Sequence, residues 1–218
     1  MRVRDRFGVT ERTQRRLTRW MEVGLLGIFA WGLLRANVGI AVNAGIAFAV
    51  TFLPALLERD YDIPMDAGLT LWITAAVFLH ALGTVGPYRD PTLWWWDHMT
   101  HALSSSLVAA IGYATTRAID EHADDISFPP RFTFVFILLF VVAFGVIWEV
   151  IEFGVGGLAT ALGSDKILTQ YGLDDTMKDL LFDIVGGVLV AVWGAAYLSD
   201  VVGALTDRLD GRGRRGAD

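Results

Sequence analysis

Acidic residues and histidines lie at the ends of three apolar segments of this chain, and both residue types bind metal ions and transfer protons. Eight residues form this set: Asp97, His98 and His101, then Glu149 and Glu152, then Asp175, Asp179 and Asp183. Ionisable groups at the edge of membrane hydrocarbon are costly and are kept mainly where they pair, bind an ion or react. The pattern therefore indicates a functional site assembled from three parts of the sequence.

Helical spacing decides which of these groups would act together. Asp97 lies four residues before His101, and His98 lies three before it, so both share a helix face with His101. Glu149 and Glu152 are three residues apart. The three aspartates of the last segment repeat every four residues, which predicts one carboxylate stripe on a helix.

A divalent cation is the simplest way to neutralise these groups. Six carboxylates close together repel one another unless protons, cations or basic side chains compensate them, and Arg89, Lys166 and Lys178 are too few for full pairing. The chain has no cysteine, so imidazole and carboxylate would bind Zn, Mn or Fe, or Mg where carboxylates dominate. We predict that all eight residues bind the metal and that Glu149 and Asp183 are catalytic.

Local structural roles are the alternative for several of these residues. Glu149 and Glu152 could be hydrogen-bonded links between helices, and Asp175 could be a helix cap. Asp183 lies deeper in an apolar segment, which favours a functional role. His80, alone on an apolar face, is more typical of a packed and hydrogen-bonded histidine.

The elements that would position the site are membrane-spanning helices. The chain has 218 residues, of which 54% are hydrophobic, and apolar stretches long enough to cross about 30 Å of hydrocarbon recur along it. This predicts an all-α, polytopic membrane bundle. Six spans are predicted: Trp20–Arg35, Val38–Leu57, Ala67–Gly86, Met99–Ile119, Phe132–Phe153 and Leu180–Leu198.

The distribution of Lys and Arg predicts the orientation. With a cytoplasmic N-terminus, fourteen of the eighteen basic residues are inside and four are outside, which is a strong positive-inside signal. Six spans then place both termini in the cytoplasm and the ends that carry the eight site residues at the outer face. The tryptophans before Asp97 would mark the outer interface. The four outer residues are Arg35, Arg89, Lys166 and Lys178.

The domain organisation follows from these spans. We expect a basic cytoplasmic tail (residues 1–19), a transmembrane domain (residues 20–200) and a cytoplasmic C-terminal tail (residues 201–218), with the first span retained as an uncleaved helix. An outer loop over about Gly156–Lys178 is rich in glycine and could cover a site. The glycines Gly154, Gly156, Gly157, Gly186 and Gly187 are expected to allow close backbone approach.

Three short motifs resemble the YjdF and VanZ-like families of small multi-pass membrane proteins. They are D-H-x-x-H from Asp97, W-E-x-x-E-F around Glu149, and D-T-x-x-D-x-x-x-D-x-x-G-G from Asp175. The resemblance covers Thr92–Trp193 and implies a role in the cell envelope, since the VanZ name is linked to low-level glycopeptide resistance. His98 stands where the VanZ-like pattern usually has Lys, which favours metal binding.

The expected function is therefore a metal-dependent hydrolase or transferase in the cell membrane, acting on a lipid-linked or phosphorylated envelope substrate. Membrane lipids are the expected partners, and nucleic acid is not. An ion- or proton-coupled transporter is the main alternative, although no inverted repeat is visible. A non-catalytic scaffold or immunity factor is the third.

Overall fold

The structure, a computed structural model, describes residues 10–123, 125–163, 167–168 and 172–215. This part of the chain is all-α and contains no strand. Two short 3-10 turns, Pro87–Arg89 and Pro91–Leu93, lie shortly before Trp95 in the chain. The helices are α1 (Glu11–Leu34), α2 (Val38–Val50), α3 (Leu53–Tyr61), α4 (Ala67–Val85), α5 (Trp95–His122), α6 (Pro130–Ala161), α7 (Leu173–Tyr197) and α8 (Ser199–Arg215).

Five helical stretches of the described chain are long and apolar enough to cross a membrane, and they match five of the six predicted spans. They are α1, α2 together with α3, α4, α6 and α7. The remaining predicted span, Met99–Ile119, lies within α5, which is a helix of 28 residues. Helix α5 is long enough to cross, but it is not among the five stretches of the described chain that are also apolar enough.

The helices extend beyond the predicted boundaries. Helix α1 begins at Glu11 rather than near Trp20, and α8 makes most of the predicted C-terminal tail helical. Helix α6 continues to Ala161, so the predicted outer loop is shorter than Gly156–Lys178. Lys166 lies outside the described residues.

The helices form two compact units, and the first is drawn from Met1–Glu58, Met65–Thr100 and Glu152–Thr169. Helices α1, α2 and α4 pack against one another there. Their contact is built from Leu25, Ala44 and Ala81, each fully buried. Small residues at such contacts let membrane helices approach closely.

The second unit is drawn from Arg59–Pro64, His101–Ile151 and Gln170–Asp218. Helix α6 contributes a buried stripe with one residue every four positions. Helix α7 meets this stripe with a glycine, since a Cβ at Gly187 would touch Leu138 and Val141 of α6. The stripe consists of Thr133, Ile137, Val141, Gly145 and Glu149. It is apolar along most of its length and ends in a carboxylate.

Candidate functional site

The imidazole of His101, near the start of α5, lies between two aspartates of α7 in the second unit. Its Nδ1 is 3.4 Å from Asp183 Oδ1, and its Nε2 is 3.8 Å from Asp179 Oδ2. The side chains are 13% exposed for His101, 3% for Asp179 and 6% for Asp183. The group is therefore nearly withdrawn from solvent, and each ring nitrogen faces a different carboxylate.

Two glycines bring α7 close enough to form this group. A Cβ at Gly186 would lie 2.2 Å from Ser105 Oγ and 2.3 Å from the carbonyl oxygen of Ala102, so α7 rests directly on the backbone of α5 next to His101. A Cβ at Gly145 of α6 would lie 2.3 Å from Asp183 Oδ2. Asp183 thus directs one oxygen towards His101 and the other towards the α6 backbone.

Glu149 joins the group from α6. Its side chain is buried, and Thr176 of α7 donates a hydrogen bond from Oγ1 to Glu149 Oε2 at 2.6 Å. Thr176 and Asp179 are three residues apart in α7 and therefore share a face. Asp179 interacts electrostatically with three neighbours in this group, namely Glu149, Asp183 and His101.

The donor set of this group fits a divalent cation. A metal-binding histidine commonly coordinates through one ring nitrogen and donates its other N–H to a carboxylate, and the Nδ1 contact with Asp183 provides that second interaction. Nε2 and Asp179 could then bind one ion together, since their 3.8 Å separation is compatible with the roughly 3–4 Å between two atoms bound to one ion at about 2.1 Å. Carboxylate oxygen and imidazole nitrogen without sulfur suit Zn, Mn or Fe.

Three of the remaining predicted ligands belong to the first unit, and the fourth lies at the start of α7. Asp97 precedes His101 by one turn of α5 and, like His98 and Glu152, belongs to the first unit. His98 is buried, and its ring lies 6.1 Å from that of Trp94. Asp175 is in the first turn of α7, where a negative charge is favourable because of the helix dipole. It also interacts electrostatically with Asp179. The helix cap at this end is Gly172 rather than Asp175.

His80 belongs to a polar chain within the first unit. Its Nε2 lies 3.2 Å from Asn43 Oδ1, and its Nδ1 lies 2.9 Å from the hydroxyl of Tyr88. That hydroxyl is also 3.1 Å from Thr100 Oγ1. The interpretation of His80 as a packed and hydrogen-bonded histidine is consistent with these contacts.

Sequence reasoning did not identify Gly145 or Thr176 as contributors. Both could have been found from spacing, because Gly145 lies one helical turn before Glu149 and Thr176 lies three residues before Asp179. The expectation of close approach is confirmed for Gly186 and Gly187. It is wrong for Gly154 and Gly157, where an added Cβ would meet nothing within 4 Å, because both lie on the exposed face of α6.

Comparison with known proteins places the chain among membrane proteins. The family described as "Predicted membrane protein (DUF2238)" matches residues 17–200. A protein of Thermotoga maritima described as uncharacterized is 30% identical over 171 residues, which is 75% of this chain and 81% of that protein. No solved structure matches the chain. With five apolar helices long enough to span, these matches support a multi-pass protein of the cell membrane.

Proposed function

The chain belongs to the DUF2238 family of membrane proteins, and we propose that it is a metal-dependent hydrolase or transferase acting on a phosphorylated, lipid-linked substrate. The observation that carries the proposal is the imidazole of His101, with Asp183 at one ring nitrogen and Asp179 at the other. The three carboxylates of the group outnumber its one imidazole, so a divalent cation would stabilise it.

Each residue has a distinct role in this proposal. His101 Nε2 and Asp179 hold the ion, and Asp183 fixes the orientation of the imidazole through Nδ1. Of the other predicted ligands, Asp175 lies in the same unit, in the first turn of α7, and remains a candidate for completing the coordination. When bound, a divalent cation would polarise a phosphoryl oxygen or lower the pKa of a water molecule.

Glu149 is the proposed general base. A carboxylate that Thr176 holds in one orientation can accept a proton from an attacking hydroxyl or water within hydrogen-bond reach. Burial of the group keeps bulk water away, which strengthens electrostatic interactions with the developing charge. The resemblance to the YjdF and VanZ-like proteins supports an envelope substrate.

The test is release of phosphate from a lipid phosphate by the purified protein with added Mn²⁺, Zn²⁺ or Mg²⁺. Glu149→Gln should lose turnover and keep its metal, whereas Asp179→Asn should lose both, because of these two residues only Asp179 is assigned as a ligand. Asp174→Asn is the matched control, since Asp174 is exposed in the same helix and pairs with Lys178. Turnover that is independent of metal, or equal in Glu149→Gln and the parent, would contradict the proposal.

A proton-coupled transporter is the second candidate. The observation that favours it is that both ring nitrogens of His101 face a carboxylate, an arrangement in which an imidazole can pass a proton from one acid to the other. The test is uptake of a solute into proteoliposomes driven by a proton gradient. Uptake by the parent that is lost in His101→Gln would favour transport over hydrolysis if the parent also shows no lipid turnover.

A further inference from the structure

A continuous series of hydrogen bonds runs through the first unit from α2 to the start of α5. Asn43 Oδ1 lies 3.2 Å from His80 Nε2, and His80 Nδ1 lies 2.9 Å from Tyr88 Oη. Tyr88 Oη lies 3.1 Å from Thr100 Oγ1, which donates to the carbonyl oxygen of Asp97 at 2.8 Å. We call this set the polar chain: Asn43, His80, Tyr88 and Thr100. Its one ionisable group other than the phenol is the imidazole.

Asn43 decides which nitrogen of His80 carries a hydrogen. Both N–H groups of Asn43 are already used, because Nδ2 donates to the carbonyl oxygens of Gly39 at 2.8 Å and Ile167 at 2.7 Å. A carbonyl oxygen only accepts, so the amide cannot be reversed and Oδ1 must face His80. Since Oδ1 also only accepts, His80 Nε2 carries a hydrogen whether the ring is neutral or charged. In the neutral ring Nδ1 is therefore the acceptor, and Tyr88 is its donor.

His80 Nδ1 is thus the position at which a further proton can bind. A proton on Nδ1 makes this nitrogen a donor to Tyr88 Oη. The Tyr88 hydroxyl then turns to donate to Thr100 Oγ1, whose own hydrogen points to the Asp97 carbonyl oxygen. Every link is then a hydrogen bond, and no heavy atom has to move. Because the chain ends at a backbone carbonyl, which has no hydrogen to pass on, the added proton stays on His80.

The packing of Tyr88 holds its hydroxyl at His80 in both states. A Cβ at Gly83 would lie 2.5 Å from two atoms of the Tyr88 ring, so the ring rests on the backbone of α4 one turn after His80. Both His80 and Tyr88 are partly exposed. A proton can therefore reach Nδ1 without unfolding of the helix.

The charges on the neighbouring elements act in both directions. Helix α4 packs against α1, α2 and the first 3-10 turn, and α2 has no ionisable residue. Carboxylates favour a positive imidazole and cations oppose it, so the neighbouring elements contribute both signs. The ionisable residues in their adjoining stretches are Glu22 of α1, Tyr88 and the exposed Arg89 of the turn, and Asp97 and His98 at the start of α5.

We propose that the polar chain is a reversible proton-binding site, in which His80 Nδ1 takes up one proton and the Tyr88 hydroxyl turns to accept from it. An imidazole ordinarily changes charge between about pH 5 and 8. The site requires no metal ion, so it is independent of the function proposed above. Helix α4 is apolar and long enough to span, and a protonatable group on such a helix is what coupling to a proton gradient requires.

The experiment is nitrogen-15 NMR of the purified full chain with labelled histidine, which distinguishes a ring nitrogen that carries a hydrogen from one that does not. The variant His80→Gln identifies the His80 signals among the four histidines. At about pH 8 His80 should carry a hydrogen on Nε2 alone, and at about pH 5 on both nitrogens. A hydrogen on Nδ1 alone at the higher pH, or a bare Nδ1 at the lower pH, would overturn the proposal.

Tyr88→Phe tests the partner of the added proton, because it keeps the ring on Gly83 and removes the hydroxyl. At the pH at which half of the parent's His80 is protonated, the ratio of protonated to neutral ring should fall about tenfold, since a hydrogen bond from a charged donor is stronger than one to the neutral ring. Thr84→Val is the matched control, because the Thr84 hydroxyl lies one turn after His80 and donates to Ala81 outside the polar chain. A parental ratio in Tyr88→Phe, or an equal fall in Thr84→Val, would also overturn the proposal.

Discussion

At the scale of single residues, the central feature is the imidazole of His101 in the second unit. Each of its ring nitrogens faces a carboxylate of α7, and a further carboxylate, Glu149, comes from α6. Asp183 reaches His101 Nδ1 with one oxygen while its other oxygen lies against α6 at Gly145. Glu149 is held separately, through the hydroxyl of Thr176. Asp183 and Glu149, which the sequence analysis predicts alike as catalytic metal ligands, therefore have different neighbours in the structure.

Thr176 tests the role assigned to Glu149. Thr176→Val keeps the shape of the side chain but removes the donor to a buried carboxylate oxygen, at a cost of about 1–3 kcal/mol. We expect kcat for lipid phosphate hydrolysis to fall at least about tenfold with KM little changed, because an interaction that serves only the reacting step is lost. Metal content should stay at the parent level.

Thr176→Ser provides the control for this change, because serine retains the hydroxyl and should restore kcat. A Thr176→Val enzyme with parental kcat, or one whose losses Thr176→Ser fails to recover, would show that the hydrogen bond serves packing alone.

At the scale of helices, the site depends on how closely α7 approaches its neighbours. The D-x-x-G-G spacing puts Gly186 one turn after Asp183. Gly186 permits the close approach of α7 to α5, and Asp183 beside it contacts His101 of α5. The long apolar segments predicted the helices well, because about twenty apolar residues have few other stable arrangements in a membrane. Helix ends were predicted less well, since glycines in α6 and charges in α1 and α8 suggested breaks where the helices continue.

Gly186→Ala is the corresponding prediction. The added Cβ would meet a backbone oxygen at 2.3 Å, and a backbone cannot yield as the tip of a side chain can. The expected cost is about 1–3 kcal/mol, seen as a lower midpoint of thermal unfolding in detergent together with weaker metal binding.

Gly154→Ala is the matched control on a neighbouring helix. Nothing lies within 4 Å of its Cβ, so replacing a helical glycine by alanine there should be neutral or stabilise by up to about 1 kcal/mol. Equal unfolding midpoints for the two variants would mean that α7 does not depend on close contact at Gly186.

At the scale of the whole molecule, the sequence predicted the membrane location, and it predicted one site of eight residues, of which the second unit brings together His101, Glu149, Asp179 and Asp183. Residues at helix ends on one side of a membrane are restricted to one level, so the positions of the spans are enough to group them. The sequence does not separate a metal ligand from a positioning residue, because that depends on which ring nitrogen of His101 faces which carboxylate oxygen. The inward orientation of both termini remains a prediction, and it requires α5 to be a sixth span despite its polar residues.

The metal content of the purified protein, measured by elemental mass spectrometry after dialysis against each candidate cation, tests the proposed metal site most directly. We expect about one divalent ion per chain in the parent and in the Asp174→Asn control, and little in Asp179→Asn. Asp183→Asn should weaken binding by about 10–100-fold, as the loss of a partner to a ligating histidine does, while all four proteins unfold at similar temperatures. A parent protein without bound metal, or an Asp179→Asn variant that binds as much as the parent, would contradict the proposed metal site.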